Sequence, residues 1–332
     1  MNKYLKFVNN SNNHRKRRLK MEELKVIEQG LVIGKESDRF IVKSKNLIET
    51  EVPSYIINSI SIYGNNQITT QAITMALDKG IDVNFLSTKG KFRGKISSNK
   101  SKNIPLRLKQ YDLMNNIEYK LQLSIIIVSN KIDNQYKLLK YYNQNEQELM
   151  NLKLKVTTSK TIEEVMGYEW IASRIYFNAL GRIIPEGFKF KERNRRPPKD
   201  EVNTLLSLTY QVMLSKILSN LEVQGLDTTL GILHSIKYGR ESLALDILEE
   251  FRQGFCDAFV MKILNRKQVK KEDFIIKDGG CYFKDNKIKD YFKIFDYEYK
   301  SIEKDVKKQA MLIRKAIEDK NTYIPYGFNK RR

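Results

Sequence analysis

Cysteine and histidine are scarce in this chain, which contains two of each in 332 residues. Cys256 and Cys281 lie far apart and in no metal-ligand spacing, which argues against a disulfide framework and against a zinc knuckle. No stretch approaches the roughly 20 continuous apolar residues that a bilayer-spanning helix needs. The opening residues, MNKYLKFVNNSNNHRKRR, lack the apolar region of a signal peptide. We therefore expect a cytoplasmic protein that has no membrane contact.

Several familiar catalytic motifs are also missing. The sequence has no GxxxxGK[ST] phosphate loop, no GxSxG nucleophile turn, no HExxH metal motif and no GxGxxG between a strand and a helix. Neither cysteine has a histidine close to it in the sequence. These absences leave one group of residues, described below, as the candidate for catalysis.

Acidic residues are outnumbered by basic ones, 39 against 60, so the net charge is +21. Residues 1–21 carry seven Lys or Arg and no acid, but removing them still leaves about +14 on the rest. A positive field concentrates polyanions, and nucleic acid is the commonest large polyanion in a cell. The alternative is a lysine-rich proteome. The 1–21 extension is interpreted either as an arm that contacts phosphates or as a flexible, solvated tail.

Residues 22–97 are expected to form a β-rich domain with one helix. LKVIEQGLVIG, DRFIVKSK and LIETEVP alternate apolar and polar residues, and SISIYG and IDVNFLS are further strand-like segments. TTQAITMALDKG predicts a helix over 69–80, and TKGKFRGKIS predicts a hairpin around Lys89 and Gly90. The polar segment SSNKSKNIP marks a linker, which we place at 98–108.

Residues 109–332 are expected to form an α-helical domain, so the fold class is α+β. Residues 107–143 predict one long helix or two shorter ones, and SLALDILEEFRQGFCDAFVMKIL predicts another helix. DFIIKDGGCYFKD predicts a small hairpin near 273–285. The loop at 188–200 carries six basic residues and is interpreted as a phosphate clamp or as a solvated connector.

Glu169 lies on a predicted helix at the edge of an apolar stripe. The stripe has the three-four spacing of a buried helix face and consists of Val165, Tyr168, Ala172, Ile175 and Ala179. A carboxylate partly removed from water is costly unless it is protonated, paired or bound to a metal. The pattern leaves open a metal ion and an arginine partner such as Arg174 or Arg182.

His234 follows the apolar run GIL and is expected to be at least partly buried. A histidine in that setting is either a packed, hydrogen-bonded residue or a metal ligand. Asp246 and Glu249 follow on the next predicted helix, off its apolar stripe, and periodicity does not choose between them. The alternative interpretation is that both residues belong to an acidic helix face that is exposed to solvent.

The ordered set of motifs resembles one known family. Three segments are similar to its N-terminal domain: IEQG, YGNNQITTQAI and GIDVNFLSTKGKFRGKI. Three more are similar to its C-terminal domain: YEWIASRIYF, RNRRPPKDEVNTLLSLTYQVM and GLDTTLGILHSIKYGRESLALDILEEFR. The family is that of the CRISPR-associated spacer-acquisition integrases, the adaptation endonucleases of these immune systems. The resemblance runs over nearly the whole chain from about Leu24.

The resemblance implies a catalytic triad that binds a divalent metal and consists of Glu169, His234 and Glu249. The metal is expected to be Mg²⁺ or Mn²⁺, with the imidazole favouring Mn²⁺. Asp246 matches an accessory acid beside the metal, and Asn203 matches an asparagine that supports the site.

The resemblance also implies a reaction and partners. Short foreign DNA fragments, the prespacers, are inserted into the leader-repeat target of a CRISPR array by attack of their 3′-hydroxyls on phosphodiesters. The N-terminal domain is expected to form a homodimer, and two dimers are expected to flank a dimer of a small ferredoxin-like partner in a heterohexamer. The residues expected to contact double-stranded DNA are Lys237, Arg240, Arg252, Arg195 and Arg196.

One departure from the family lies beside the triad, where Trp170 replaces the usual glycine after Glu169. Trp170 either fills space or offers a stacking surface. Two rival functions are kept: a transposon-encoded integrase of the same fold, and a non-catalytic DNA-binding scaffold.

Overall fold

The computed structural model describes residues 23–44, 47–88, 92–97, 104–319 and 323–328. The chain forms two compact units that divide between Lys100 and Ser101. The 1–21 extension and the predicted turn at Lys89 and Gly90 lie outside the described residues. No helix in the described ranges has the length and apolar character to cross a bilayer.

The N-terminal unit contains two four-stranded sheets and a helix, as the alternating pattern predicted. The elements are β1 (Glu23–Val26), β2 (Val32–Glu36), β3 (Arg39–Ser44), β4 (Leu47–Pro53), β5 (Ser59–Tyr63), β6 (Gln67–Ile68), α1 (Thr70–Asp78), β7 (Asp82–Leu86) and β8 (Phe92–Ile96). One sheet has the order β1-β5-β7-β8 and the other β4-β3-β2-β6. Strands β7 and β8 are antiparallel, while β1, β5 and β7 run parallel.

The segment LKVIEQGLVIG divides between the two sheets rather than forming one strand. Gly30 has a φ of +79°, a conformation that glycine adopts without strain, and it separates β1 from β2. Leu24 and Val26 on β1 and Ile33 on β2 then meet again in the same core. The side chain of Thr69 caps α1 by accepting a hydrogen bond from the N–H of Ala72.

The C-terminal unit is mainly helical. Its helices are α2 (Ile104–Asn115), α3 (Ile117–Tyr141), α4 (Gln147–Thr157), α5 (Ile162–Arg182), α6 (Glu201–Val223), α7 (Ser242–Phe251), α8 (Ala258–Asn265), α9 (Asp285–Tyr299) and α10 (Glu303–Asp319). Of the two alternatives for residues 107–143, the structure has two helices, because Asn116 caps α3 by accepting from the N–H of Tyr119. Helix α2 begins inside the segment that we assigned to the linker, since Pro105 is compatible with a first helical turn.

Two local features depart from the simple helical pattern. The segment predicted as one helix from Ser242 onward is α7, a π-helical stretch Arg252–Asp257, and α8. Strands β9 (Phe274–Lys277) and β10 (Gly280–Phe283) form an antiparallel hairpin where the sequence predicted one. Such a π-helical insertion rotates the residues on either side of it relative to a regular helix. The basic residue Arg252 is its first member.

Candidate active site

Helix α5 places Glu169 at the edge of a packed face. Val165, Ala172 and Ala179 are fully buried, and the side chain of Glu169 is 25% exposed. Ser173, one turn later, donates a hydrogen bond of 2.9 Å to Oε1 of Glu169. The arginines considered as partners lie elsewhere: Arg174 stacks over the ring of Trp170, and Arg182 pairs with Glu146. The cation that contacts Glu169 is Lys131 of α3.

Asp246 holds the loop that carries His234. Its Oδ2 accepts hydrogen bonds from the backbone N–H groups of Ile232 at 2.5 Å and Leu233 at 3.2 Å. Its Oδ1 accepts from the backbone N–H of His234 at 3.0 Å and lies 2.6 Å from Nδ1 of the same residue. Asp246 therefore fixes both the backbone and the ring of His234, and its contact with the ring is at Nδ1 rather than Nε2.

Gly231 allows the loop that carries His234 to pass close to α7. A Cβ at Gly231 would lie 2.5 Å from the carbonyl oxygen of His234 and from Cβ of Ser242, and 3.2 Å from Oδ2 of Asp246. Only a residue without a side chain fits between them. The short GILH run therefore depends on its glycine for the placement of His234.

Glu249 lies one turn beyond Asp246 and is held by two cations. Its Oε1 is 3.0 Å from Nη2 of Arg252, and its Oε2 is 2.6 Å from Nζ of Lys131. Burial would raise the pKa of Glu249, but the nearby charges of Arg252, Lys131 and His234 lower it to about 2. Glu249 is therefore ionised at every physiological pH. The interpretation of Asp246 and Glu249 as a solvent face is wrong, because their exposures are 0% and 4%.

Lys131 joins the two glutamates. Its side chain is 5% exposed, and its ammonium contacts both Oε1 of Glu169 and Oε2 of Glu249. Burial by itself would lower the pKa of Lys131, but the two carboxylates raise it above the ordinary value. No sequence pattern pointed to this residue, because it lies on a different helix, 38 residues before Glu169.

A second network connects the basic loop at 188–200 to the same place. Asn203, fully buried in the first turn of α6, accepts hydrogen bonds from Nη1 of Arg193 at 2.7 Å and from the N–H of Asn194 at 3.0 Å. The guanidinium groups of Arg193 and Arg252 both stack on the ring of Tyr210, at 5.4 and 4.7 Å. Asn203 is thus linked to Arg252, and so to Glu249, through Arg193 and the ring of Tyr210.

The cations expected to contact DNA have different surroundings. Lys237, Arg195 and Arg196 are exposed, and Arg240 is partly buried. Arg252 is engaged inside the site, between Glu249 and the ring of Tyr210. Trp170 is 61% exposed, so it does not fill space in a core.

Among the residues that the structure describes, no three His, Cys, Asp or Glu side chains are arranged so that they could hold a metal ion. Lys131 lies between the two glutamates, and Nδ1 of His234 faces Asp246. The chemistry of the donor set nevertheless fits a divalent cation, since two carboxylates converge on one positive point with an imidazole close by. Oε2 of Glu249 is also buried and already faces a cation, the Lys131 ammonium at 2.6 Å.

Solved structures share this fold. A Cas1 protein from Thermotoga maritima, TM1797, has a TM-score of 0.81 and 21% identity, covering 94% of this chain and all of the other. The Cas1 part of a Cas6-RT-Cas1–Cas2 complex has a TM-score of 0.79 and 22% identity, covering 97% of this chain and 37% of that one. A casposase bound to its integration product has a TM-score of 0.78 and 20% identity, covering 93% and 94%.

Sequence comparisons are more specific. A family model for the CRISPR associated protein Cas1 matches residues 24–297. A CRISPR-associated endonuclease Cas1 of Thermus thermophilus is 34% identical over 250 residues, 75% of this chain and 73% of the relative. Another, of Methanospirillum hungatei, is 29% identical over 304 residues, 88% and 84% of the two chains. The extent of these matches shows that the chain belongs to the Cas1 family of CRISPR-associated endonucleases, enzymes that act on DNA.

Proposed function

We propose that this Cas1 protein inserts short foreign DNA fragments into a CRISPR array by attack of the fragment 3′-hydroxyl on phosphodiesters of the leader-repeat target. One observation carries the proposal: Glu169 and Glu249, on different helices, converge on a single buried point beside His234. Converging carboxylates are costly to bury, and they are a common arrangement in enzymes that transfer phosphoryl groups.

The proposed ligands of Mg²⁺ or Mn²⁺ are Glu169, His234 and Glu249. A divalent cation held by these residues would polarise the scissile phosphate and would stabilise the leaving oxygen. The chain contributes the rest. Asp246 orients His234 through Nδ1, and Arg252 keeps Glu249 ionised and in one rotamer through its 3.0 Å contact. Water in place of the 3′-hydroxyl would give nuclease activity from the same site.

The proposed DNA contacts lie on the loops that precede α6 and α7 and on α5. Lys237, Arg195 and Arg196 are exposed cations on two loops, and such residues position a duplex through its phosphates. Trp170 and Arg174 form an exposed stack with the guanidinium 5.0 Å from the ring centroid, on the helix that carries Glu169. An exposed aromatic face backed by a cation suits the stacking of an unpaired base. Arg252 is assigned to the support of Glu249.

The proposed partners follow from the family. We expect a homodimer through the N-terminal unit and a heterohexamer with a small ferredoxin-like partner. The structural similarity to the Cas1 part of a complex that contains Cas2 is consistent with this assembly. The partner would span two Cas1 dimers and so set the distance between the two insertion points.

The test is strand transfer of a short duplex with 3′-hydroxyl ends into supercoiled DNA that carries a leader and a repeat. Wild type is compared with His234→Ala and Glu249→Gln, in Mn²⁺ and in EDTA, with and without the small partner. We expect joining that requires the metal and is reduced by at least about a hundredfold in both variants, because each removes a metal ligand. His14→Ala, the same change at the other histidine, is the matched control and should retain activity.

The casposase, whose fold is similar, makes a specific alternative worth including in the same assay. A transposon-type integrase would prefer long ends with terminal inverted repeats over short fragments. Preferential joining of such ends, with no selectivity for the leader-repeat target, would replace the proposed function by that one. Salt-sensitive DNA binding without joining or nicking in any condition would indicate a scaffold.

A further inference from the structure

Lys131 is the most unusual residue of the site. A lysine buried to 5% exposure is costly unless its charge is matched, and here two carboxylates match it. Its helix neighbours are fixed: Asn130 and Asn134 both donate to the backbone carbonyl of Tyr326, at 2.8 and 3.1 Å. The backbone around Lys131 is therefore anchored, and only its flexible four-carbon side chain is free to change position.

We propose that the Lys131 ammonium is a built-in counterion that a divalent cation must displace, so that this residue sets the metal affinity of the site. The inference rests on the ligand set of the proposed function. The Lys131 ammonium contacts Oε1 of Glu169 and lies 2.6 Å from Oε2 of Glu249, and these two carboxylates are the proposed metal ligands, so both cations would use the same oxygens. Two cations that share these oxygens would repel each other strongly at such distances in a buried site.

Lys131 differs in this respect from Arg252, the second cation on Glu249. Arg252 lies on the opposite oxygen, Oε1, and its guanidinium is stacked on Tyr210. Within the described part of the chain no aromatic ring stacks on Lys131, and its ammonium contacts the two carboxylates. Arg252 is thus the permanent counterion, and Lys131 is the one that is exchanged.

Two effects follow from an exchange. Without a divalent cation, Lys131 offsets the repulsion between Glu169 and Glu249 and so stabilises the folded protein. When a divalent cation binds, it must first break these two contacts, which weakens its apparent affinity. A neutral side chain of similar length would reverse both effects: lower stability in a chelator and tighter metal binding.

The experiment measures Mn²⁺ binding to the full-length protein without DNA, from the electron paramagnetic resonance signal of free Mn²⁺, together with thermal unfolding in EDTA and in Mn²⁺. Lys131→Met is expected to bind Mn²⁺ at least about tenfold more tightly than wild type. It is also expected to unfold at a lower temperature than wild type in EDTA. Mn²⁺ should raise its unfolding temperature by more than it raises that of wild type. Lys262→Met, which breaks a 2.6 Å pair with Glu298 away from the site, should leave the Mn²⁺ affinity unchanged.

Lys131→Gln provides a second neutral variant in case Lys131→Met does not fold. Folding of either variant only when Mn²⁺ is present would support the proposal, since the metal then replaces the lost charge. Unchanged or weaker Mn²⁺ affinity in both variants, or failure of both to fold even with Mn²⁺, would overturn it.

Glu249→Gln separates this proposal from the proposed function. If wild type binds Mn²⁺ and Glu249→Gln does not, the ligand set stands whatever Lys131 does. If Mn²⁺ binding is the same in wild type and Glu249→Gln, the ligand set itself fails. Strand transfer is not needed for either conclusion.

Discussion

Asp246, Glu249 and Glu250 lie within five residues of α7, all are buried, and each has a different role. Asp246 accepts hydrogen bonds from the loop of His234, and Glu249 faces Lys131 and Arg252. Glu250 points away from the site, accepting from the hydroxyl of Tyr323 at 2.5 Å and the N–H of Tyr326 at 2.8 Å. Burial raises the pKa of Glu250 to about 8, although these two donors oppose the shift. The pKa values of these neighbouring glutamates are thus shifted in opposite directions, that of Glu249 downward by the charges around it and that of Glu250 upward by burial.

The pKa of Glu250 leads to a prediction about stability and pH. Because the folded-state pKa is raised from 4.5 to about 8, the unfolded chain releases the proton first as pH rises. This contribution to the free energy of unfolding is complete below pH 4.5 and is lost between pH 4.5 and 8. Glu249, with a pKa of about 2, changes stability only below pH 4.5 and so does not interfere.

The free energy of unfolding of wild type is therefore expected to decline by a few kcal/mol between pH 5 and pH 8, and Glu250→Gln is expected to remove this decline. Urea denaturation of wild type and variant at both pH values measures the difference. Relative to wild type, the Glu250→Gln variant should be more stable at pH 8 than at pH 5. The same pH dependence in both proteins would contradict the assignment.

At the scale of elements, the chain segment 323–328 packs against α7, the helix that carries Asp246 and Glu249. The ring of Tyr326 stacks on Phe251 with 4.5 Å between centroids, and the N–H of Phe328 donates to Oδ1 of Asn134 at 2.7 Å. The same segment contacts the neighbours of Lys131 and of Glu249, the two residues that meet in the site. It therefore fixes α3 and α7 relative to each other from the rear.

Gly254 tests this packing. A Cβ there would lie 2.8 Å from Cε1 of Tyr326, whose ring is held by the stack on Phe251. We expect Gly254→Ala to lower the free energy of unfolding by about 1–3 kcal/mol through overpacking.

Gly167→Ala on α5 is the matched control, because a Cβ at that position meets nothing within 4 Å. It should raise the free energy of unfolding by about 0.5–1 kcal/mol, the usual gain from alanine in an exposed helix. Urea denaturation of both variants gives the comparison. Equal changes in the two would show that segment 323–328 does not restrict Gly254.

For the whole molecule, the dominant property is the net charge of +21. Each phosphate that a basic side chain neutralises adds about 0.9 to the magnitude of the slope of log K against log salt. Removing residues 1–21 takes away seven basic residues. This deletion distinguishes an arm that contacts phosphates from a solvated tail.

We expect the deletion to reduce the magnitude of the salt slope for duplex binding by at least about 2, since the basic cluster 15–18 can reach several phosphates. Fluorescence anisotropy at salt concentrations between about 50 and 200 mM measures the binding constant. The dependence of the binding constant on salt over this interval gives the slope. Arg195→Ala combined with Arg196→Ala is the comparison inside the folded unit. An unchanged slope in the deletion would assign the extension to the solvated-tail alternative.

The sequence alone determined the class of the fold and the family. Period-two alternation before residue 97 and helical spacing after it are local properties, so they survive without tertiary information. The break at Gly30 and the π-helical stretch Arg252–Asp257 were not predicted, because each depends on which neighbours the chain packs against. The sequence patterns put forward Glu169, His234 and either Asp246 or Glu249 as candidates, and only the resemblance of motifs chose Glu249 and assigned the three a shared role.

Tertiary structure decided the electrostatics of the site. Nine of the ten residues of α7 are buried, so an apolar stripe could not indicate which acids face solvent. Lys131 is distant in sequence from both glutamates and lies on a different helix from each of them, so no spacing rule links them. Charge pairing in a buried site depends on which side chains meet in space. Local sequence patterns carry no record of that.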